Sequence, residues 1–322
     1  MKRIALPAAL LIGIILLAGG DHLSAQPVTG KVKLAFITNN SSGFWTICKK
    51  GADLAVKEQP NIDLDFRITA DATASAQKQI IQDLLAKGTQ GIAISPEDAD
   101  KQTDTLNSVA SQALLICSDS DAAKSKRVCY IGTDNEAAGE QAGQEILKAL
   151  PDGGKIMLFV GDLGAQNAHD RKAGIEKALT GSKVTIIDTR TDDADHQRAK
   201  TNAEDTITKY PDISAMVGLW SYNGPAIVDA VTSAKKIGQI KVVCFDEEDG
   251  TLKGLQDGVV TSTIVQNPYE FGHQSMLFMY KYLTETDHSF VPKDGKIIVP
   301  TRVITKDTVD AFWTDLKAKR GN

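Results

Sequence analysis

The chain is poor in the patterns on which many enzymes and metal proteins are built. Its four cysteines, Cys48, Cys117, Cys129 and Cys244, form no C-x-x-C pair, which removes the common zinc and dithiol redox motifs. No G-x-S-x-G, H-E-x-x-H, G-x-x-x-x-G-K-[ST] or G-x-G-x-x-G run occurs, and the five histidines are scattered. A nucleophile elbow, a zinc protease helix and a phosphate-cradling loop are therefore not legible. Basic charge is not in excess either. With 36 Lys and Arg against 41 Asp and Glu the net charge is −5, a balance unsuited to nucleic acid or anionic membrane as main partner. Short-period repeats and low-complexity tracts are absent, and only one long apolar run exists, at 4–18.

That run follows Lys2 and Arg3 and precedes the small-residue stretch Leu23-Ser24-Ala25. The pattern is that of a secretory signal peptide, 1–25, cleaved after Ala25. An uncleaved anchor is the alternative, but the run is short for a spanning helix of about 20 residues. Loss of Lys2, Arg3 and Asp21 takes the net charge from −5 to −6. The expectation is a periplasmic mature chain with no direct membrane insertion. Cys48, Cys117 and Cys244 lie in apolar patterns, where a free thiol behaves as a small hydrophobe. Cys117 and Cys129 end and begin neighbouring apolar segments, so a disulfide between them stays open in an oxidising compartment.

At 322 residues the chain is long enough for two domains with their own cores. From Lys33 onward, short β-branched apolar runs alternate with amphipathic windows. The runs are 34–38, 64–68, 91–95, 114–117, 128–131, 156–160, 184–188, 215–219, 241–245 and 260–265. Several are continuously apolar, as expected of parallel strands covered on both faces. Helical spacing fills 74–86, 138–150, 170–179, 198–209 and 224–234 between them. The fold class is therefore α/β, with doubly wound parallel sheets. About ten strands divide into two sheets of five or six, and "YIGTDNEAAGEQAG" marks the first passage from one to the other.

In such sheets ligands bind beyond the carboxyl ends of the strands. Those ends read "TNNSSGFW", "CSDSDA", "GDLGAQNAHDR", "LWSYNGP", "FDEEDG" and "QNPYEFG". They collect aromatic rings, carboxylates, amides and an arginine. A sugar offers a C–H face to a ring and a rim of hydroxyls to such donors and acceptors. Each candidate also has a plainer reading. Phe44 and Trp45 fit the first turn of a core-facing helix, Trp220 fits packing under a loop, and Asp246 fits a helix cap. Arg171 fits a surface helix, and Asp119 and Asp121 fit solvated turns, the reading preferred for Asp121. Trp45 is the expected stacking ring, with Phe44 serving partly as core.

The stretches "LAFITNNSSGFWTICKKGAD", "IGTDNEAAGEQAG", "NAHDRKAGI", "VGLWSYNGPAI", "KVVCFDEEDGTLKGLQDG" and "STIVQNPYEFGHQS" together resemble periplasmic sugar-binding proteins of the ribose/galactose type. These are the substrate-binding subunits of ABC importers. The resemblance runs from about Val32 to the C-terminal "VITKDTVDAFWTDL". It implies two domains, 32–134 plus 267–300 and 135–266 plus 301–322, joined by a three-crossover hinge with the ligand cleft between them. It further implies ligand contacts from Thr38, Phe44, Trp45, Asp119, Asn167, Arg171, Trp220, Ser221, Asp246 and Gln266. The partners implied are a monosaccharide and an ABC transporter permease in the inner membrane, for a monomer without cofactor or metal.

Three departures from the ribose binders stand out. Ser120 replaces an arginine, Ser42-Gly43 replaces Asn-Pro, and Trp220-Ser221 lies where those binders have an asparagine. Ribose itself is thereby put in doubt. No D-x-[DN]-x-[DN]-G run is present, so no calcium loop is expected. Among rival functions, catalysis lacks a motif. A sugar-responsive repressor lacks a basic helix-turn-helix ahead of Val32, where the signal pattern stands. A sensing subunit that presents a sugar or autoinducer to a membrane receptor or sensor kinase would share this fold, and sequence separates it poorly from an importer.

Overall fold

The computed structural model describes residues 27–320, so the expected signal peptide and its cleavage site lie outside the described residues. Two six-stranded sheets form the frame. In the first, β1 (Val32–Ile37), β2 (Ile62–Arg67), β3 (Gly91–Ile94), β4 (Leu114–Ser118), β5 (Cys129–Gly132) and β11 (Lys296–Ile298) take the order β11-β5-β4-β3-β1-β2. All of its strand pairs are parallel. In the second, β6 (Gly154–Val160), β7 (Val184–Thr191), β8 (Ile213–Gly218), β9 (Lys241–Phe245), β10 (Ser262–Val265) and β12 (Arg302–Thr305) take the order β12-β10-β9-β8-β6-β7. Only β12 runs antiparallel, against β10. The two orders match place for place. β1 and β6 each sit between neighbours wound in opposite directions, which makes their carboxyl ends the switch points of the two lobes.

The ten apolar runs of the sequence all become strands, and two short strands join them. β11 and β12 alternate or expose their side chains at the sheet edges, so neither produces the continuous apolar signal of a covered strand. Helices α1 (Gly43–Glu58) and α9 (Pro268–Thr284) cover one face of the first sheet, and α2 (Ala74–Ala86) and α3 (Ala99–Ala110) the other. On the second sheet α4 (Asn135–Ala149) and α5 (Gln166–Leu179) pack together on one side. The opposite face carries α6 (His196–Lys209), α7 (Asn223–Ser233), α8 (Asp249–Asp257) and α10 (Val309–Arg320). None of the described helices is long and apolar enough to cross a membrane.

The chain passes between sheets three times, after β5, after β10 and after β11. The first two passages end at once in capped helices. Asp134 accepts from the Ala137 N–H at 3.0 Å at the start of α4. Asn267 accepts from the Glu270 N–H at 3.4 Å at the start of α9, with Pro268 next in line. A side-chain acceptor satisfies donors the helix cannot, and proline lacks one of them, so each helix begins where the passage ends.

Strand register decides the thiols. Ile116 lies opposite Cys129 and Cys117 opposite Tyr130, and adjacent residues of a strand face opposite ways. Cys117 accordingly packs in the α2–α3 core and Cys129 in the α1–α9 core. All four cysteines are free and buried; the Cys117–Cys129 disulfide is excluded because the two side chains leave opposite faces of the sheet.

Close helix pairs hold each lobe. A Cβ on Gly51 of α1 would lie 1.8 Å from the Tyr269 carbonyl oxygen, and one on Gly272 of α9 would lie 2.0 Å from that of Cys48. Gly139 and Gly174 play the same part between α4 and α5, at 2.2 Å from the Arg171 oxygen and 2.1 Å from the Glu136 oxygen. Gly51→Ala is expected to destabilise the protein by about 1–3 kcal/mol or more, since backbone cannot move aside as a side chain does. The midpoint of urea unfolding measures it; an unshifted midpoint would contradict the close approach.

Candidate functional site

A small cavity lies between the facing carboxyl ends of the two sheets. Its wall on the first lobe begins beyond β1. Thr38 turns the chain there: its hydroxyl donates to the Asn40 carbonyl at 2.8 Å and accepts from the Thr69 N–H at 2.9 Å. Its own carbonyl accepts from Thr69 and Gln77, at 2.6 and 2.8 Å. Thr38 is fully buried in this scaffold and, alone among the residues expected at the site, does not line the cavity. In its place stand Asn39, Asn40 and Ser42. The Asn40 amide donates to Asn39 Oδ1 at 2.9 Å and accepts from the Ser42 N–H at 2.9 Å, an Asx turn that feeds α1. The polar run "TNNSS" was the signal for these three, but it does not say which members face inward.

Phe44 and Trp45 open α1 and line the cavity together. Their rings meet edge to face at 5.0 Å between centroids. Phe44 also leans on Phe271 at 6.1 Å and Trp45 on Phe36 at 5.8 Å. Both belong to the core, with 6% of Phe44 and 1% of Trp45 exposed, so exposure does not single out Trp45 as the freer ring.

Asp119 follows β4 and Asp246 follows β9, equivalent places in the two sheets. Each adopts φ of 67°, the left-handed region that aspartate tolerates better than most residues and that is held at a cost at functional sites. Asp119 Oδ2 accepts from Ser95 Oγ at 2.7 Å and from Asn167 Nδ2, in the other lobe, at 3.1 Å. Asp246 Oδ1 accepts from Gln266 Nε2 at 2.9 Å. Both carboxyls are pushed above their usual range by burial, against the pull of the Arg171 guanidinium. Asp121, two residues beyond Asp119, is no solvated turn residue. It forms a paired, largely buried ion bridge with Arg127.

Asn167 and Arg171 lie one turn apart on α5, beyond the second switch point. Arg171 is 1% exposed, which corrects its plainer reading as a surface arginine. Its guanidinium lies 4.5 Å from the Phe245 ring centroid. Nε donates to Asn135 Oδ1 at 2.9 Å and Nη1 to the Leu219 carbonyl at 2.6 Å, while Nη2 has no partner. Asn135, on the first passage between lobes, also donates to the carbonyls of Asp119 and Thr133, at 3.3 and 3.2 Å. The sequence offers no cue for it, because its partners are distant in the chain. Trp220 and Ser221, beyond β8, complete the wall. Trp220 is neither loose nor solvated; its Nε1 donates to Asn167 Oδ1 at 3.3 Å.

Three buried polar atoms of cavity residues remain unpartnered: the donors Arg171 Nη2 and Trp45 Nε1, and the acceptor Gln266 Oε1. Each such group costs about 1–3 kcal/mol unless something polar meets it. A small ligand with both hydroxyl donors and acceptors would do so. The same residues offer no thiolate or imidazole, and no group of three metal-ligating side chains occurs among the described residues.

A family model described as "Periplasmic binding protein domain" matches residues 34–287. The ribose import binding protein RbsB of Salmonella typhimurium is 25% identical over 284 residues, covering 86% of this chain and 93% of that one. The D-ribose/D-allose-binding protein of Pseudomonas aeruginosa is 24% identical over 322 residues, covering 95% and 99%. Among solved structures, an ABC transporter solute binding protein from Burkholderia graminis in complex with D-arabinose superposes with a TM-score of 0.81 at 29% identity, over 87% of this chain and 96% of that one.

At the cleft, Glu97 beyond β3 is buried with Oε2 unpartnered, and its carboxyl is pushed up to about 8 by burial and by Asp162 of the facing lobe. A carboxyl whose affinity for protons rises on folding makes the native state bind more protons than the unfolded chain. Stability should therefore fall as pH rises from the ordinary value of 4.5 through about 8, and stay level above it. Urea midpoints between pH 6 and 9 should decline in the wild type, and much less in Glu97→Gln. Parallel declines in the two proteins would refute the assignment.

Proposed function

The chain belongs to the periplasmic binding protein domain family, and from that premise we propose that it binds a monosaccharide between its lobes and delivers it to an ABC-type import permease. The observation that carries this reading is the unpartnered set, Arg171 Nη2, Trp45 Nε1 and Gln266 Oε1, around a cavity bounded by two carboxylates and three aromatic rings. Rings meet the C–H face, and carboxylates and amides meet the hydroxyls. The sugars named for the relatives, ribose, allose and arabinose, support a pentose or hexose ligand.

In this proposal the lobes are 32–134 plus 267–300 and 135–266 plus 301–322, and they close by bending at the three passages. Contacts between lobes support that motion. Asn167 of one reaches Asp119 of the other, and the Gly43 N–H at the start of α1 donates to Glu248 across the cleft at 3.2 Å. A ligand held by both lobes favours the shut form by the contacts made only there. The shut form, a periplasmic monomer freed of its signal peptide, would then dock on the permease. Members of the family act in transport or sensing and are non-catalytic, so the bound sugar is expected to leave unchanged.

A thermal-shift screen of the mature protein against pentoses, hexoses, deoxy sugars and polyols tests this. A ligand at one hundred times its dissociation constant adds about 2.7 kcal/mol. Asp246→Asn should weaken binding of the best sugar by roughly tenfold to a hundredfold, the scale of a hydrogen bond to a charged group, without loss of fold. Absence of any stabilising sugar, or turnover of one, would overturn the reading.

A further inference from the structure

The cavity wall at Trp220 is held from behind by a residue that does not line the cavity. Asp192 follows β7 and is fully buried. Its Oδ1 accepts from Tyr222 Oη at 2.5 Å and from the Ala194 N–H at 3.0 Å; its Oδ2 accepts from Asn223 Nδ2 at 3.0 Å. Asn223 Oδ1 in turn accepts from the Trp220 backbone N–H at 3.0 Å. From there the indole N–H reaches Asn167 Oδ1, and Asn167 Nδ2 reaches Asp119 in the facing lobe.

Every orientation along this chain is forced by a neighbour that can act in only one way. An ionised carboxylate only accepts, so the Asn223 amide must turn its NH₂ to Asp192 and its oxygen to Trp220. An indole N–H only donates, so the Asn167 amide must turn its oxygen to Trp220 and its NH₂ to Asp119. Burial pushes the Asp192 carboxyl up to about 6, against the bonds from Tyr222 and Asn223, so it remains an acceptor at neutral pH. The ring has no room to shift. A Cβ on Gly161 would lie 2.0 Å from Trp220 Cζ3 and 2.7 Å from Tyr222 Oη, and His196 stacks on Tyr222 at 4.5 Å.

We propose that Asp192 is a positioning residue of the sugar cleft: it fixes Trp220 as a rigid wall and, through Trp220, sets the amide of Asn167 that partners Asp119. The proposal rests on the monosaccharide reading of the cleft. Because its N–H is consumed within the protein, Trp220 meets the ligand with carbon edges, so it selects by shape where Asp119 and Asp246 select by hydroxyls. Discrimination between sugars of different size thus depends on a carboxylate outside the cavity.

Asp192→Asn places a donor against donors that the carboxylate served; Tyr222→Phe removes one of them with less risk to folding. Two measurements decide. With Trp45→Phe and Trp313→Phe leaving Trp220 as the only tryptophan, its emission in the sugar-free protein should move to the red and become more open to acrylamide quenching in both variants. Unchanged emission would overturn the positioning role, and this readout needs no ligand. The second is a double-mutant cycle on the affinity for D-ribose, D-allose or D-arabinose, whichever the wild type binds most tightly. Asp192→Asn should weaken binding roughly tenfold or more, the scale of a broken buried hydrogen bond, yet have little further effect in a Trp220→Ala background. Equal losses in both backgrounds would overturn the link through Trp220. If no sugar in the thermal-shift screen stabilises the wild type while Trp220 emission shifts in the variants as expected, the sugar reading falls and the packing claim stands.

Discussion

A guanidinium with almost no exposure acts electrostatically on two aspartates, one from each lobe, and the rest of the site is arranged around that fact. Arg171 draws on Asp119 and Asp246 alike, yet burial outweighs its pull and leaves both carboxyls easier to protonate than in water. A buried charge set of this kind is a poor source of stability. It makes sense as a site kept ready for hydroxyls, where each remaining donor or acceptor is satisfied only when a ligand arrives. Stability is supplied elsewhere, by the glycine-lined helix pairs α1–α9 and α4–α5 and by four apolar cores.

The same residues tie the charges to the passages between lobes. Asn135 sits at the first passage and binds both Arg171 and the carbonyl of Asp119. Gln266 sits at the second and binds Asp246. A change of angle at either passage would therefore alter the surroundings of a charged group, and in the proposed function occupancy of the charged groups would bias the angle. Coupling in both directions follows from linkage without any further device.

Much of the fold was legible because covered parallel strands leave a direct mark, a short continuous apolar run, and the rule of strand ends then points to their successors. Strand ends together with the resemblance to periplasmic sugar-binding proteins pointed to Phe44, Trp45, Asp119, Asn167, Arg171, Trp220, Ser221, Asp246 and Gln266, all of which line one cavity. The sequence misleads where a residue type has two uses. Thr38 has the hydroxyl a sugar site wants, but spends it on Asn40 and Thr69. Asp121 looks like a turn residue until Arg127 is found beside it. Cys117 and Cys129 look pairable until register sends them to opposite faces. The edge strands β11 and β12 escaped because they are short and largely uncovered, and so leave no continuous apolar run.

What the sequence determined by itself was the alternation of strand and helix, and the kinds of side chain that stand at each strand end. Both are local properties: periodicity and turn chemistry act over a few residues. Only the tertiary structure decided which neighbour each of those side chains meets. Asp192, Asn135 and Glu97 acquire their roles from residues tens of positions away, through desolvation and through hydrogen bonds that allow one orientation. Such effects depend on what packs against a group in space, and no pattern along the chain records that.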